Sequence, residues 1–149
     1  MNNIEFHFED ISIPDFNPEF FRLWISKVLE LHKVDAQELS FIFCSDEYIL
    51  DINKQYLNHN YFTDIITFNY NTDEYIAGDI FVSYHTVISN SDVYSKGSVQ
   101  DELERVVIHG VLHLIGFNDK TNSEQVEMTN QEDIALKLRK NVSRETKKR

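Results

Sequence analysis

Residues 106–122 read VVIHGVLHLIGFNDKTN, and three side chains in this stretch could do chemistry together. His109 and His113 stand four apart in an apolar run with helical spacing. Four residues of α-helix make one full turn plus about 40°, so both imidazoles lie on one face, one turn apart. In that geometry they can hold one metal ion. Gly116 then lets the chain leave the helix through a left-handed conformation, and Asp119 arrives ten residues after His109. A zinc-peptidase pattern, H-E-x-x-H-x-x-G-x-x-H, has its three ligands and its glycine at these same offsets. Only the third ligand differs in type, and aspartate is an accepted zinc ligand. His109, His113 and Asp119 are therefore the expected ligands of one zinc-type divalent ion. A two-His, one-carboxylate set also suits Fe(II). Three protein ligands leave a coordination position open, as catalytic sites do.

Gly110 occupies the place where that pattern keeps its glutamate, the general base of the peptidases. Glycine cannot take a proton, so peptide hydrolysis by that route is disfavoured. It also costs about 1 kcal/mol against alanine inside a helix, which asks for a local reason. The reason expected from the sequence is room beside the metal for a bulky substrate group. Arg105, one turn before His109 on the same face, is a candidate phosphate contact. It is equally placed to pair with Asp101 or Glu102 on its own helix, and pairing is the favoured reading. His59 and Lys54 are further candidates. His7, His32 and His85 read as surface or strand residues, and Cys44 as a buried small hydrophobe.

Several elements must position these groups. IEFHF (4–8) and LSFIFC (39–44) read as strands. A first helix starts with Asn17 as cap and Pro18 at its first position, and a second starts at Ser45 and runs to about Leu57. TDIITFNY (63–70) and AGDIFVSY (77–84) suit a hairpin, with Thr67 and Phe68 packing beside the metal helix and Asp64 and Asp79 near the strand starts. Ser98 can cap the histidine helix, and Thr121 with Glu124 has capping-box spacing for a last helix reaching about Arg139. Strands first and helices later imply an α+β domain with helices packed on a small sheet.

The 149 residues suit one domain over 1–139, followed by a basic tail over 140–149. Net charge is −11, unevenly placed: residues 137–149 carry seven Lys/Arg against one Glu, and everything before them sums to −17. Such an acidic body argues against tight nonspecific nucleic-acid binding, which relies on Lys/Arg neutralising phosphates; the basic tail reads equally as a local offset to that or as a solvated end with no partner. A single cysteine excludes an internal disulfide. The N-terminus has no secretory pattern and no apolar run approaches the roughly 20 residues that span a bilayer, so a cytoplasmic protein with no membrane partner is expected.

HGVLHLIGFND resembles the signature of the YbeY family of bacterial endoribonucleases, H-G-x-L-H-L-x-G-x-D-H. INKQYLNHNYFTDIITFNY (52–70) and AGDIFVS (77–83) are similar to that family's other two motifs, in the same order along the chain. The resemblance implies a zincin-like α+β fold with a mixed, about four-stranded sheet. It implies a zinc-dependent endoribonuclease specific for single-stranded RNA, acting in 16S rRNA 3′-end maturation and ribosome quality control. The implied partners are rRNA and the ribosome, with no DNA. Four positions depart: Asp119 stands for the family's third histidine, Asn118 for the Asp before it, Leu57 for an arginine, and Asn69 for a proline. The aspartate lowers the site's net charge from +2 to +1, which weakens Lewis acidity and raises the pKa of a bound water. A second reading follows from the acidic body and Leu57: a ribosome-associated RNA-binding factor whose metal is mainly structural.

Overall fold

The computed structural model describes residues 2–142. In chain order its elements are β1 (Ile4–Phe8), α1 (Pro18–Leu31), β2 (Ala36–Cys44), α2 (Asp46–Leu57), β3 (Ile65–Asn69), β4 (Ile76–Ser83), α3 (Tyr84–Tyr94), α4 (Val99–Ile115) and α5 (Asn122–Lys137). Local chemistry sets most of the boundaries. Asn17, Ser45 and Ser98 each accept a backbone N–H of the first turn they cap. Thr121 and Glu124 form a full capping box at α5, which satisfies two otherwise unpaired donors at once.

Helices and strands alternate as far as α2, in the order placed from the sequence, and the three helices after β4 make up the helical second half. The single sheet runs β1-β2-β4-β3. β1, β2 and β4 are parallel, and β3 closes the edge antiparallel to β4, with Ile65 opposite Val82 and Thr67 opposite Ile80. The hairpin expected from residues 63–84 is thus present, and the sheet is mixed and four-stranded. α3 has no counterpart in the sequence reading: its SNSD segment is polar, and it buries only Val87 and Ser91. Ser83, expected inside a strand, accepts the Thr86 N–H and starts that helix.

The two sheet faces carry two cores. The larger joins Trp24, Phe21 and Leu29 of α1 to Phe41, Phe43, Ile80 and Val82 of the sheet and to Val107, Ile108 and Val111 of α4. On the other face Cys44, Ile49 and Ile66 pack with Tyr48, Phe68 and Phe81 under α2. Phe68 therefore faces away from α4, contrary to expectation, because Thr67 takes the α4 face and side chains alternate along a strand. Cys44 is fully buried, and desolvation pushes its thiol up to about 12, so it is a packing residue. Helical backbone resumes after Leu138 and reaches Val142, whose side chain is buried in the larger core. Of the basic tail expected over 140–149, residues 143–149 lie outside the described residues. Among those described, no helix is long and apolar enough to cross a membrane.

Two glycines let α4 lie close on the sheet edge. A Cβ on Gly78 would stand 2.6 Å from the Phe68 carbonyl oxygen and 3.0 Å from Leu114 Cδ1. Backbone cannot retreat as a side chain can, so Gly78→Ala should destabilise the fold by about 2–3 kcal/mol, the upper range for overpacking. A lower urea midpoint with an unchanged slope is the expected observation; an unchanged midpoint would show that the hairpin yields without cost.

Candidate metal centre

α4 carries both histidines past β3, the edge strand of the sheet. The glycine stop works as the spacing requires: Gly116 takes φ 127°, and the Gly116 and Phe117 N–H groups both donate to the Leu112 carbonyl, at 3.1 and 3.0 Å. The Leu114 carbonyl accepts from Asn71 Nδ2 at 2.8 Å, which ties the β3–β4 turn to the end of α4. The chain then folds back, and the α5 capping box with Gln125, whose Nε2 donates to the Asp119 carbonyl at 3.1 Å, holds the returning loop.

The result is convergence. His109 Nε2 lies 3.3 Å and His113 Nε2 3.4 Å from Asp119 Oδ2. One ligand atom from each of the three residues falls within 4.8 Å of the others. Donors arranged tetrahedrally about an ion at about 2.0–2.1 Å stand about 3.4 Å apart, so the donor set fits a small divalent cation. The cluster is partly open, with Asp119 40% exposed and His113 28%. A hollow of about 320 Å³ lined by Ile65, Thr67, Asn69, His113 and Leu114 adjoins it.

Glu132 is the residue that sequence reasoning missed. It is almost fully buried on α5, and its carboxylate lies 2.6 Å from His109 Nδ1. A carboxylate there fixes the proton on Nδ1 and leaves the Nε2 lone pair facing Asp119, the arrangement that orients and strengthens a metal-bound imidazole. No spacing rule reaches 23 residues downstream; a glutamate on the inward face of an otherwise polar helix was the only signal.

Arg105 is held by its neighbours. Its guanidinium grips Glu102 through Nε at 2.9 Å and Nη2 at 2.5 Å, approaches Glu132 at 3.5 Å, and lies 5.0 Å above the Tyr94 ring. The hydrogen bonds to fully buried Glu102 keep its pKa above the ordinary value. Of the pairing partners weighed from sequence, Glu102 takes Arg105, while Asp101 goes to Arg139. Lys54 lines a separate hollow on α2, His59 sits in the loop before β3, and Asp79 accepts from Tyr70 Oη. Asp64, at the start of β3, is half-buried, and desolvation raises its carboxyl against the pull of His109 and Arg105.

Gly110 faces the sheet. A Cβ there would meet Ile65 Cδ1 at 2.9 Å and Ile80 Cγ2 at 3.0 Å. The expected room for a substrate group is therefore corrected: the glycine serves helix-on-strand packing, and a longer side chain in its place would run into β3 and β4.

The imidazoles differ in their surroundings. Burial lowers His113, and the charge of His109 lowers it further. Burial also opposes protonation of His109, but the hydrogen bond and charge of Glu132 outweigh it and raise its pKa above the ordinary 6.5. A metal needs both imidazoles without a proton on the ligating nitrogen. Affinity for added zinc should therefore be full above the raised His109 value and fall as pH drops through it, starting higher than for an ordinary histidine. Zinc titrations from pH 8 to 5 test this. Affinity flat across that range would exclude imidazole ligands.

A helix bearing two histidines, a glycine turn and a carboxylate, laid across the edge of a mixed four-stranded sheet, defines a zincin-like α+β domain. The chain matches the family model for endoribonuclease YbeY over residues 3–139. It is 42% identical over 135 residues to "Endoribonuclease YbeY" of Parabacteroides distasonis, covering 91% of this chain and 94% of that one. It is also 42% identical over 137 residues to the protein of that name in Bacteroides fragilis, covering 92% and 98%, and 46% identical over 120 residues to that of Cytophaga hutchinsonii, covering 80% and 83%. The chain belongs to the YbeY endoribonuclease family. The fold also matches the solution structure of a Thermotoga maritima protein, with a TM-score of 0.63 at 24% identity, covering 96% of this chain and 93% of that one.

Proposed function

We propose that this protein is a metal-dependent endoribonuclease that cleaves single-stranded RNA, with His109, His113 and Asp119 holding one zinc-type divalent ion. The observation that carries this reading is the convergence of two imidazole nitrogens and one carboxylate oxygen, at 3.3 and 3.4 Å, beside an open hollow. Membership of a family whose relatives are named endoribonucleases supplies the substrate class. Three donors rather than four favour a catalytic ion over a structural one.

A bound divalent ion supplies an acidified water and polarises a phosphoryl oxygen. The chain's own residues do the rest. His109 presents Nε2 with its tautomer set by Glu132, and His113, its pKa depressed, is neutral at physiological pH. Arg105 pairs with the buried Glu102 and offsets part of the Glu132 charge behind the site. Asp119 contributes a negative charge, which moderates the site's Lewis acidity relative to three histidines. The acidic body points to positioning on a larger assembly rather than capture of free RNA, in keeping with 16S rRNA 3′-end maturation and ribosome quality control in the cytoplasm.

The test is a substrate panel offered to zinc-loaded protein: single-stranded RNA, duplex RNA, single-stranded DNA and an unfolded polypeptide. Cleavage confined to single-stranded RNA is the expected result. Metal-dependent turnover of the polypeptide would overturn it, since with Gly110 packed on the sheet another group would have to act as the peptidase base.

A further inference from the structure

The hollow beside His113 continues along β3. A second hollow of about 230 Å³ shares Ile65 and Thr67 with the first and is bounded at its far end by Asn53, Leu57, His59 and Tyr61. β3 is the sheet's edge, and among the described residues no strand covers its outer side. Neither hollow is lined by Lys or Arg among the described residues. Phosphate neutralisation is therefore not what this surface offers.

It offers flat rings instead. The His59 and Tyr61 rings lie nearly parallel, 5.1 Å between centroids and 21° between planes, with Tyr61 Oη 3.0 Å from His59 Nδ1. Tyr61 is 56% exposed, and Phe62 beside it 59%. The ledge is preformed. Asn58, in a left-handed conformation, ends α2, and the buried Asn53 donates from Nδ2 to the Tyr61 carbonyl at 2.9 Å while its own carbonyl accepts the His59 N–H. A hydrogen-bonded, solvent-facing aromatic pair at the end of a cleft that starts beside His113 suits an unpaired base, since every nucleobase has a π-face and stacking tolerates sequence.

We propose that Tyr61, backed by His59, is the stacking platform for one nucleobase of single-stranded RNA lying along β3. The proposal rests on the endoribonuclease reading above and adds its specificity element. A base must be splayed from its strand to reach the ledge, so duplex RNA is rejected by geometry rather than by charge.

The experiment measures binding of an oligoadenylate across a salt series to metal-free protein, which on the reading above does not cleave it, beside KM and kcat of zinc-loaded protein on the same RNA. Tyr61→Ala should weaken binding on the order of tenfold, the size of one lost base–aromatic stack. The loss should appear in KM, with the salt slope, melting temperature and metal content unchanged. Tyr61→Trp should restore binding, and Tyr61→Phe should stay within about twofold of wild type, because the ring carries the contact. Tyr61→Ala binding as wild type, or a loss that changes the salt slope, would overturn the ledge and leave the nuclease reading standing. Wild-type protein that neither binds nor cleaves RNA would instead overturn both.

Discussion

Replacing His113 by alanine should take bound zinc from one equivalent per chain to almost none and lower RNA cleavage by on the order of a thousandfold, about 4 kcal/mol of transition-state stabilisation. His113 Nε2 is one of the two imidazole nitrogens facing Asp119 Oδ2, and two ligands at a partly open site do not retain a divalent ion against solvent. The metal-free fold should be nearly unaffected, because the ring is 28% exposed at the end of α4 and the apolar residues around it stay in place. Metal-free wild type and variant should melt within about 1 kcal/mol of each other, whereas saturating zinc should stabilise only the wild type, by mass action on the native state. A variant that keeps a full equivalent of zinc would move the site elsewhere.

The second large effect belongs to Glu132. Glu132→Ala leaves His109 Nδ1 and part of the Arg105 charge without their buried partner. Loss of such a carboxylate behind a metal-bound imidazole weakens metal affinity about 10–100-fold. Breaking a buried charge pair also destabilises a fold, by about 3–5 kcal/mol when nothing replaces it. Here Arg105 keeps its bidentate grip on Glu102 and is itself partly exposed, so the stability loss should fall below that range. Glu132→Gln separates the two effects. An amide oxygen still accepts the Nδ1–H, so zinc affinity should fall less than for alanine, while the raised His109 pKa should drop because the charge that raises it is gone. An NMR titration of His109 in the metal-free variant reads this directly. A His109 pKa equal in Glu132→Gln and wild type would show that Glu132 does not govern the imidazole.

What the sequence disclosed, and what it hid, divides along local and tertiary lines. The spacing of His109, His113, Gly116 and Asp119 is a property of one helix and its stop, and the fold places their donor atoms within 4.8 Å. The caps at Asn17, Ser45, Ser98 and Thr121 were legible for the same reason, since each involves a side chain and a backbone N–H three residues away. Glu132 was not, because its role exists only once α5 packs against α4. Gly110 was misread for a related reason: a lone sequence does not say which neighbour a glycine makes room for, and the neighbours here are Ile65 and Ile80 of the sheet. α3 stayed hidden because it buries so little that no apolar stripe marks it. The sheet order carries no local signal at all; it follows from parallel pairing of β2 with both β1 and β4.

If RNA cleavage depends on one divalent ion held by His109, His113 and Asp119, activity must follow the ion stoichiometrically. The most direct measurement is cleavage of single-stranded RNA by chelator-stripped protein as zinc is added back in substoichiometric steps. The stripped protein should be inactive, activity should rise with a break at one equivalent, and His113→Ala should not recover at any point of the titration. Full-rate cleavage by the stripped protein, or recovery in His113→Ala matching wild type, would contradict that dependence.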